Sequence, residues 1–239
     1  MRHLATITAV VGLCLASCAQ AQSTELAQKL EKAAQSGDPE ASYHLGMIYN
    51  NGIGVTQDAK RAFAHFSRAA EAGDPLGAYK VGCYYAGQFE GVVKADEEQA
   101  LRHKLKAAEA GYKLAQVDVA IIYARREDNR SALKWFEAAA KQGDAQSLYN
   151  LSVFYRDGLG TAPSRPKTHA FFRLAHIAAR GNVGEGAQKQ LDEIAAAMSA
   201  EERAEAERIA ATWITGPTPL TQLAAAGLDR AQVVAAKSR

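Results

Sequence analysis

A pair of small residues followed three positions later by glycine recurs along this chain. It reads Ala33-Ala34 before Gly37, Ala69-Ala70 before Gly73, Ala107-Ala108 before Gly111 and Ala139-Ala140 before Gly143, with a fainter copy at Ile177-Ala178 before Gly181. The glycines lie 36, 38, 32 and 38 residues apart. Periods of this length mean a stack of supersecondary units, each packed on its sequence neighbours. The chain is 48% hydrophobic and 23% charged, with conspicuous alanine, few aromatics and little clustering of Val and Ile. Such a composition favours helices with closely approaching backbones over sheets.

Two registers show that each unit is a helix pair. Eight positions after the first four glycines stand Leu45, Val81, Val119 and Leu151. A small residue follows each (Gly46, Gly82, Ala120, Ser152), and tyrosine stands at the twelfth position every time (Tyr49, Tyr85, Tyr123, Tyr155). Spacings of three and four put these residues on one helix face, where the small residue admits a neighbouring helix and the tyrosine fills the wedge below. Counting backward, Ala62, Ala100, Ala132 and Ala170 fall eleven positions before glycine, each followed by Phe or Leu. This is the second helix of the pair, ending at Ala-Ala and closed by a glycine suited to the left-handed turn past a helix end. Asp58, Asp96 and Asp128 share one register and are expected to cap the second helices at their N-termini.

The segment AAQSGDPEASYHLGMIYNNGIGVTQDAKRAFAHFSRAAEAGD joins LG-x-x-Y, G-x-GV, D-x-x-x-A and AA-x-x-G elements. In this it resembles the Sel-one-like repeat family, relatives of the tetratricopeptide repeats, and the resemblance covers roughly Leu26 to Gly181. It implies an all-α fold: a right-handed superhelix, or α-solenoid, of antiparallel helix pairs, with four to five repeats between helical caps. The third repeat, YARREDNRSALKW, lacks the glycine loop between its helices, and the fourth replaces it with GLGTAPSRP. Glu25 to Gln35 reads as one amphipathic capping helix with Leu26 and Leu30 on one face. Ser199-Ala-Glu-Glu202 is a capping box opening a helix to about Ile214, which Gly216-Pro217-Thr-Pro219 breaks. The last twenty residues read as one or two short helices.

The first residues read as a targeting signal. Met1-Arg2-His3 is a short positive start, and Leu4 to Ala16 is an apolar run of signal-peptide length, too short to span a membrane. Two cleavage readings stand side by side. Leu15-Ala16-Ser17-Cys18 resembles a lipoprotein box in which Cys18 becomes the lipid-modified first residue, and Ala19-Gln20-Ala21 resembles an ordinary cleavage site. The domain plan is therefore a leader at 1–21 (1–17 if lipidated), a capped repeat array at 22–214, and a Pro/Gly break and tail at 215–239. Either reading places the mature protein in the periplasm, soluble or tethered to the outer membrane by its lipid. Cys83 is then the one ordinary thiol, so no internal disulfide is expected. Net charge is +2 without a basic block, which argues against nucleic acid as a partner.

No catalytic constellation stands out, and neither metal nor cofactor is expected. His65 and His103 fall eight positions before their glycines, where the third repeat has Trp135; a register shared with tryptophan is a packing position. His169 and His176 lie seven apart without a converging carboxylate pattern. Gly52-Ile-Gly54 and Gly158-Leu-Gly160 follow helices rather than strands and lack the lysine-serine of a phosphate loop, so they read as turns. Cys83 shares its helix with no histidine and reads as a small hydrophobe. Glu97-Glu98 and Glu201-Glu202 sit in helix first turns, where the helix dipole accounts for them.

The informative surface is the side of each first helix opposite its core face, at positions three, six, seven, ten and fourteen after glycine. It reads Glu40, Tyr43, His44, Met47, Asn51; Leu76, Tyr79, Lys80, Cys83, Gly87; Leu114, Val117, Asp118, Ile121, Arg125; and Gln146, Tyr149, Asn150, Val153, Asp157. A solvated face would be charged, whereas this one is rich in tyrosine and aliphatics, as recognition surfaces are. In tetratricopeptide-like arrays the same angular face is the concave, ligand-binding side. The expected partner-binding residues are Tyr43, His44, Met47, Asn51, Tyr79, Lys80, Ile121, Arg125, Tyr149, Asn150 and Val153. The resemblance implies a non-enzymatic role: a periplasmic adaptor or scaffold for another protein or peptide of the cell envelope. A periplasmic immunity protein that neutralises a secreted lipase toxin is the alternative. A hydrolase role is attached to cysteine-rich relatives whose paired cysteines this chain lacks.

Overall fold

The computed structural model of the chain describes residues 22–237, whose regular structure is helical, without strand among the described residues. The proposed leader, with Cys14, Cys18 and both cleavage sites, lies outside the described residues. Residues 22–35 form α1. The repeats follow as α2 (Pro39–Asn51), α3 (Ala59–Glu71), α4 (Pro75–Tyr85), α5 (Glu97–Glu109), α6 (Lys113–Arg125), α7 (Asn129–Ala140), α8 (Ala145–Asp157) and α9 (Arg165–Arg180). After them come α10 (Glu185–Ala196), α11 (Ala200–Thr212), α12 (Pro219–Ala225) and α13 (Gly227–Ala236). No helix among the described residues is long and apolar enough to cross a membrane.

The recurring glycine does what its register predicts. Gly37, Gly73, Gly111 and Gly143 have φ of 92°, 90°, 92° and 78°, the left-handed region in which a side chain is strained. The next residue's N–H then turns back onto the first alanine of each pair: Asp38 to Ala33 at 3.1 Å, Asp74 to Ala69 at 2.9 Å, Tyr112 to Ala107 at 2.9 Å and Asp144 to Ala139 at 3.3 Å. This wrap satisfies a carbonyl that the helix end leaves open. Asp58 and Asp128 cap α3 and α7 as expected, and Asp96 accepts from the Gln99 N–H at 3.0 Å at the start of α5. Sequence reasoning passed over a second set of caps on the first helices. Asp38, Asp74 and Asp144, each beside the repeat glycine, accept from N–H groups of α2, α4 and α8 at 3.0, 2.6 and 2.7 Å.

Small residues decide how closely the pairs stack. The alanine pairs are buried, and so are Ala41, Gly77, Ala115 and Ser147, which stand four positions after their glycines. A Cβ built on Gly77 would lie 2.6 Å from Ala69 Cβ and 3.0 Å from the Ala70 nitrogen, so α3 and α4 meet almost backbone to backbone. At Gly46 a Cβ would lie 2.5 Å from the Phe66 ring. Below these contacts come the aromatic wedges. Tyr49 stacks on His65 at 5.5 Å and 2°, and Tyr85 on His103 at 5.8 Å and 15°, which makes both histidines packing residues. Tyr155 instead stacks on Phe171, two positions earlier in the register, at 5.7 Å.

The two departures from the repeat have local solutions. Between α6 and α7 the missing glycine loop leaves a tight turn in which Glu127 takes φ 60°. Between α8 and α9 the loop lies against the start of α7, where a Cβ on Gly160 would fall 2.6 Å from the Asn129 backbone. The chain divides into two compact units. The first runs through His103 and resumes at Leu223, and the second runs from Lys104 to Gln222.

Gly77→Ala tests the close approach. In an exposed helix interior this change stabilises by about 1 kcal/mol. Here the new methyl meets backbone, and overpacking of this kind costs roughly 1–3 kcal/mol. Urea denaturation is expected to show a net loss; a gain would mean that α3 and α4 have room to spare.

Candidate functional site

In the second unit, α6 and α8 both pack on α7. Ala115, Val119 and Ala120 of α6 and Leu148, Leu151 and Ser152 of α8 are buried. On the opposite face of α6, Leu114 is 46% exposed, Val117 and Ile121 are half-buried and Arg125 is exposed. On α8, Tyr149 is 43% exposed, Asn150 and Val153 are half-buried, and Gln146 and Asp157 are exposed. The Tyr149 ring lies 6.1 Å from Phe172 of α9, which contacts His176 at 4.7 Å. Asp118 departs from the strip: it turns back to the buried Lys104 of α5, with Nζ 2.7 Å from its carboxylate. The expected residues Ile121, Arg125, Tyr149, Asn150 and Val153 thus form half-open apolar strips with polar ends.

The first unit differs. Tyr43 and His44 were expected on an open face, but they are buried, at 8% and 5% exposure. Tyr43 leans toward α3, its ring 6.0 Å from Phe66, because Gly46 one turn later lets the Phe66 ring against the α2 backbone. His44 is closed off where α13 docks. Ala231, Val234 and Ala235 of α13 share a core with Leu30 and Ala34 of α1 and with Ala41, Leu45 and Ile48 of α2. Arg230 makes a bidentate pair with Glu40, at 2.5 and 2.7 Å, one turn before His44. Burial pushes the His44 imidazole below its ordinary value, against the pull of Glu40 and with the push of Arg230. Met47, Tyr79, Lys80 and Cys83 remain half-buried, Asn51 is exposed, and Leu76 is buried.

Sequence reasoning missed the docking of α13. Ala231, Val234 and Ala235 have the i, i+3, i+4 spacing of a helix with one apolar face, a signal legible in principle. Gln116 and Gln142 are also buried, at positions where the other repeats place Ser, Ala or Leu, and Ser or Ala. A long amide against that pattern needs partners and so marks a contact.

Among the described residues no group of three or more His, Cys, Asp or Glu is placed to hold a metal ion. A cavity of about 640 Å³ beside α9 is lined in part by Tyr155, Arg156, Ser164, Thr168 and Glu202. There the Tyr155 hydroxyl donates to Glu137 at 2.9 Å and accepts from Lys167 at 3.3 Å. Desolvation and the Glu137 carboxylate push the phenol above its ordinary value.

The Sel1 repeat family matches residues 39–74, 75–112, 115–144 and 145–175. The chain is similar to a Sel1 repeat protein from Oxalobacter formigenes, at 30% identity over 75% of this chain and 74% of that one, with a TM-score of 0.57. It is also similar to a protective antigen of uropathogenic Escherichia coli displaying the same repeat fold, at 22% identity, 83% and 58% coverage and a TM-score of 0.32. An immunity protein from Pseudomonas aeruginosa shares 18% identity over 87% and 73% of the two chains, with a TM-score of 0.41. No curated protein matches.

Arg230→Met keeps the aliphatic stem and removes the pair with Glu40. Amides of α13 are then expected to exchange at least tenfold faster, with those of α6 to α8 unchanged. Unchanged exchange in α13 would show that its apolar face alone holds it.

Proposed function

Because this chain belongs to the Sel1 repeat family, we propose that it is an exported adaptor that holds another protein or an extended peptide on the free faces of α6 and α8. Sel1 repeats are generally interaction scaffolds rather than enzymes, and they imply protein partners. The observation that carries the reading is the pair of strips on α6 and α8. Leu114 and Tyr149 are nearly half exposed beside half-buried Val117, Ile121 and Val153, on helices whose other faces are already committed to the core. An apolar strip with an exposed tyrosine and rim charges (Arg125, Asp157) suits a macromolecular guest: the aromatic anchor supplies contact area and the rim tunes specificity. Tyr79 and Lys80 of α4 extend the same register in the first unit, whereas Tyr43 and His44 have no part in it.

The envelope location rests on the leader-like first residues. If Cys18 is lipidated, inhibiting lipoprotein signal peptidase with globomycin should make an unprocessed precursor accumulate in membranes. Unaffected processing with a mature N-terminus at Gln22 would assign the ordinary leader instead, and an unprocessed protein in the cytoplasm would remove export altogether.

The binding strip has its own test. With a partner identified by pull-down from the cell envelope, Tyr149→Ala combined with Ile121→Ser is expected to weaken affinity at least tenfold without loss of helix content. Lys134→Ala, on the exposed side of the second helix α7, should leave affinity unchanged. Affinity insensitive to the first pair, or a melted protein, would assign those side chains to packing.

A further inference from the structure

Beyond α11 the chain does not hang free. Within the second unit, residues 213–222 run across the turn that joins α5 to α6 and the turn that joins α7 to α8. Trp213 meets Phe171 edge-on at 4.9 Å. The Gly216 N–H donates to the Lys141 carbonyl at 2.9 Å, and the Thr218 N–H to Gln142 Oε1 at 3.1 Å. The Thr218 hydroxyl donates to the Gly111 carbonyl at 2.8 Å, and the Thr221 hydroxyl to Gln142 Oε1 at 2.7 Å. In return the Lys113 N–H donates to Thr221 Oγ1 at 3.0 Å.

The receiving side is organised. Gln142 Nε2 donates to the Gly111 carbonyl and to Gln116 Oε1, both at 2.8 Å, and Gln116 Nε2 donates to the Ala108 carbonyl at 3.2 Å. Gln116 and Gln142 are only 6% and 7% exposed. The repeat glycine forms the floor: a Cβ on Gly111 would come within 3.2 Å of the Thr218 methyl. Together they form a rigid row of donors and acceptors spaced for a main chain with two hydroxyls. The strap itself is held lightly. Ile214 is 87% exposed, Pro217 and Pro219 are exposed, and α12 buries no residue. A segment fixed by hydrogen bonds at the surface, with no apolar anchor from α12, opens without unfolding the array beneath it.

We propose that these two turns form a peptide-binding rim. Its resident occupant is the chain's own residues 214–222, and a partner displaces it with a segment of the same chemistry: extended, proline-containing, with two hydroxyl residues three apart at the start of a helical turn. Proline fits because it brings no N–H that needs an acceptor and enters already restricted. The second hydroxyl fits because Thr218 Oγ1 accepts from the Thr221 N–H at 3.2 Å, which shapes the turn that presents both oxygens. Tethering keeps the resident at high effective concentration, so the rim in the intact protein is closed to weak ligands and open to a guest that binds several points at once. This rim is separate from the free faces of α6 and α8, and its test does not depend on a partner for those faces.

The test uses the full chain and a fluorescent peptide with the sequence of residues 214–222. In the Thr218→Val, Thr221→Val protein the resident strap has lost both hydroxyls while the rim is intact. The peptide is expected to bind this variant at least tenfold more tightly than wild type by anisotropy. Adding Gln142→Ala to the variant, or valine at both threonines of the peptide, should abolish that gain. Equal binding to the two proteins, or no binding to a variant whose helix content and melting match wild type, would overturn the proposal. If the double variant folds poorly, Thr221→Val alone serves. Amide exchange in the unaltered protein decides independently: the Gly216 and Thr218 amides should open at least tenfold faster than those of α6 and α8. Exchange in step with those helices would show that the strap is a fixed part of the fold.

Discussion

The near-contact of backbones where one helix pair follows another is the constraint on which the rest depends. An alanine pair lies in the last turn of each second helix, and alanine, glycine or serine lies in the first turn of the next first helix. With so little side chain between them, dispersion contact is dense, and a single added methyl has nowhere to go. The left-handed glycine completes the arrangement by reversing the chain in a few residues, and before α2, α4 and α8 the aspartate after it caps the next helix. The repeat is therefore a joint, and the chemistry that recurs from copy to copy is that of the joint.

Packing through small residues leaves each first helix with an uncommitted side. In the second unit that side stays half open and apolar on α6 and α8. In the first, α13 and the Phe66 contact close the corresponding part of α2. The same register position thus has different fates along one chain. His44 became a buried imidazole beside an ion pair, whereas Asn150, at the same distance from its own glycine, remains part of a half-open face.

The helix pairs, the glycine turns and the packing role of His65 and His103 were all legible in the sequence, because each follows from local spacing repeated several times. The second set of aspartate caps was equally legible, lying beside glycines already singled out. Tyr43 was misjudged for a physical reason: its angular position on α2 is right for an open face, but Gly46 allows Phe66 to come close enough to cover it. No periodicity encodes that, since the covering residue belongs to another helix. The docking of α13 and of the strap lies still further from local pattern, joining residues far apart in the chain, as in Thr218 with Gly111 and Arg230 with Glu40.

Gln116 and Gln142 carry the most information about what the second unit is for. A repeat built for packing alone fills such positions with short or apolar side chains, as the other copies do with serine, alanine or leucine. A buried amide adds little net stability even when satisfied, and costs heavily when it is not. Two of them facing each other across successive turns, with the remaining oxygen and a glycine carbonyl turned outward, make sense as a device for holding main chain and hydroxyl groups in one register. An apolar cleft would have bound the same segment more tightly but without directional selection, and it would have hidden the segment from exchange. Hydrogen bonds at a surface select and release, which are the properties needed where a tethered segment and an incoming one share a seat.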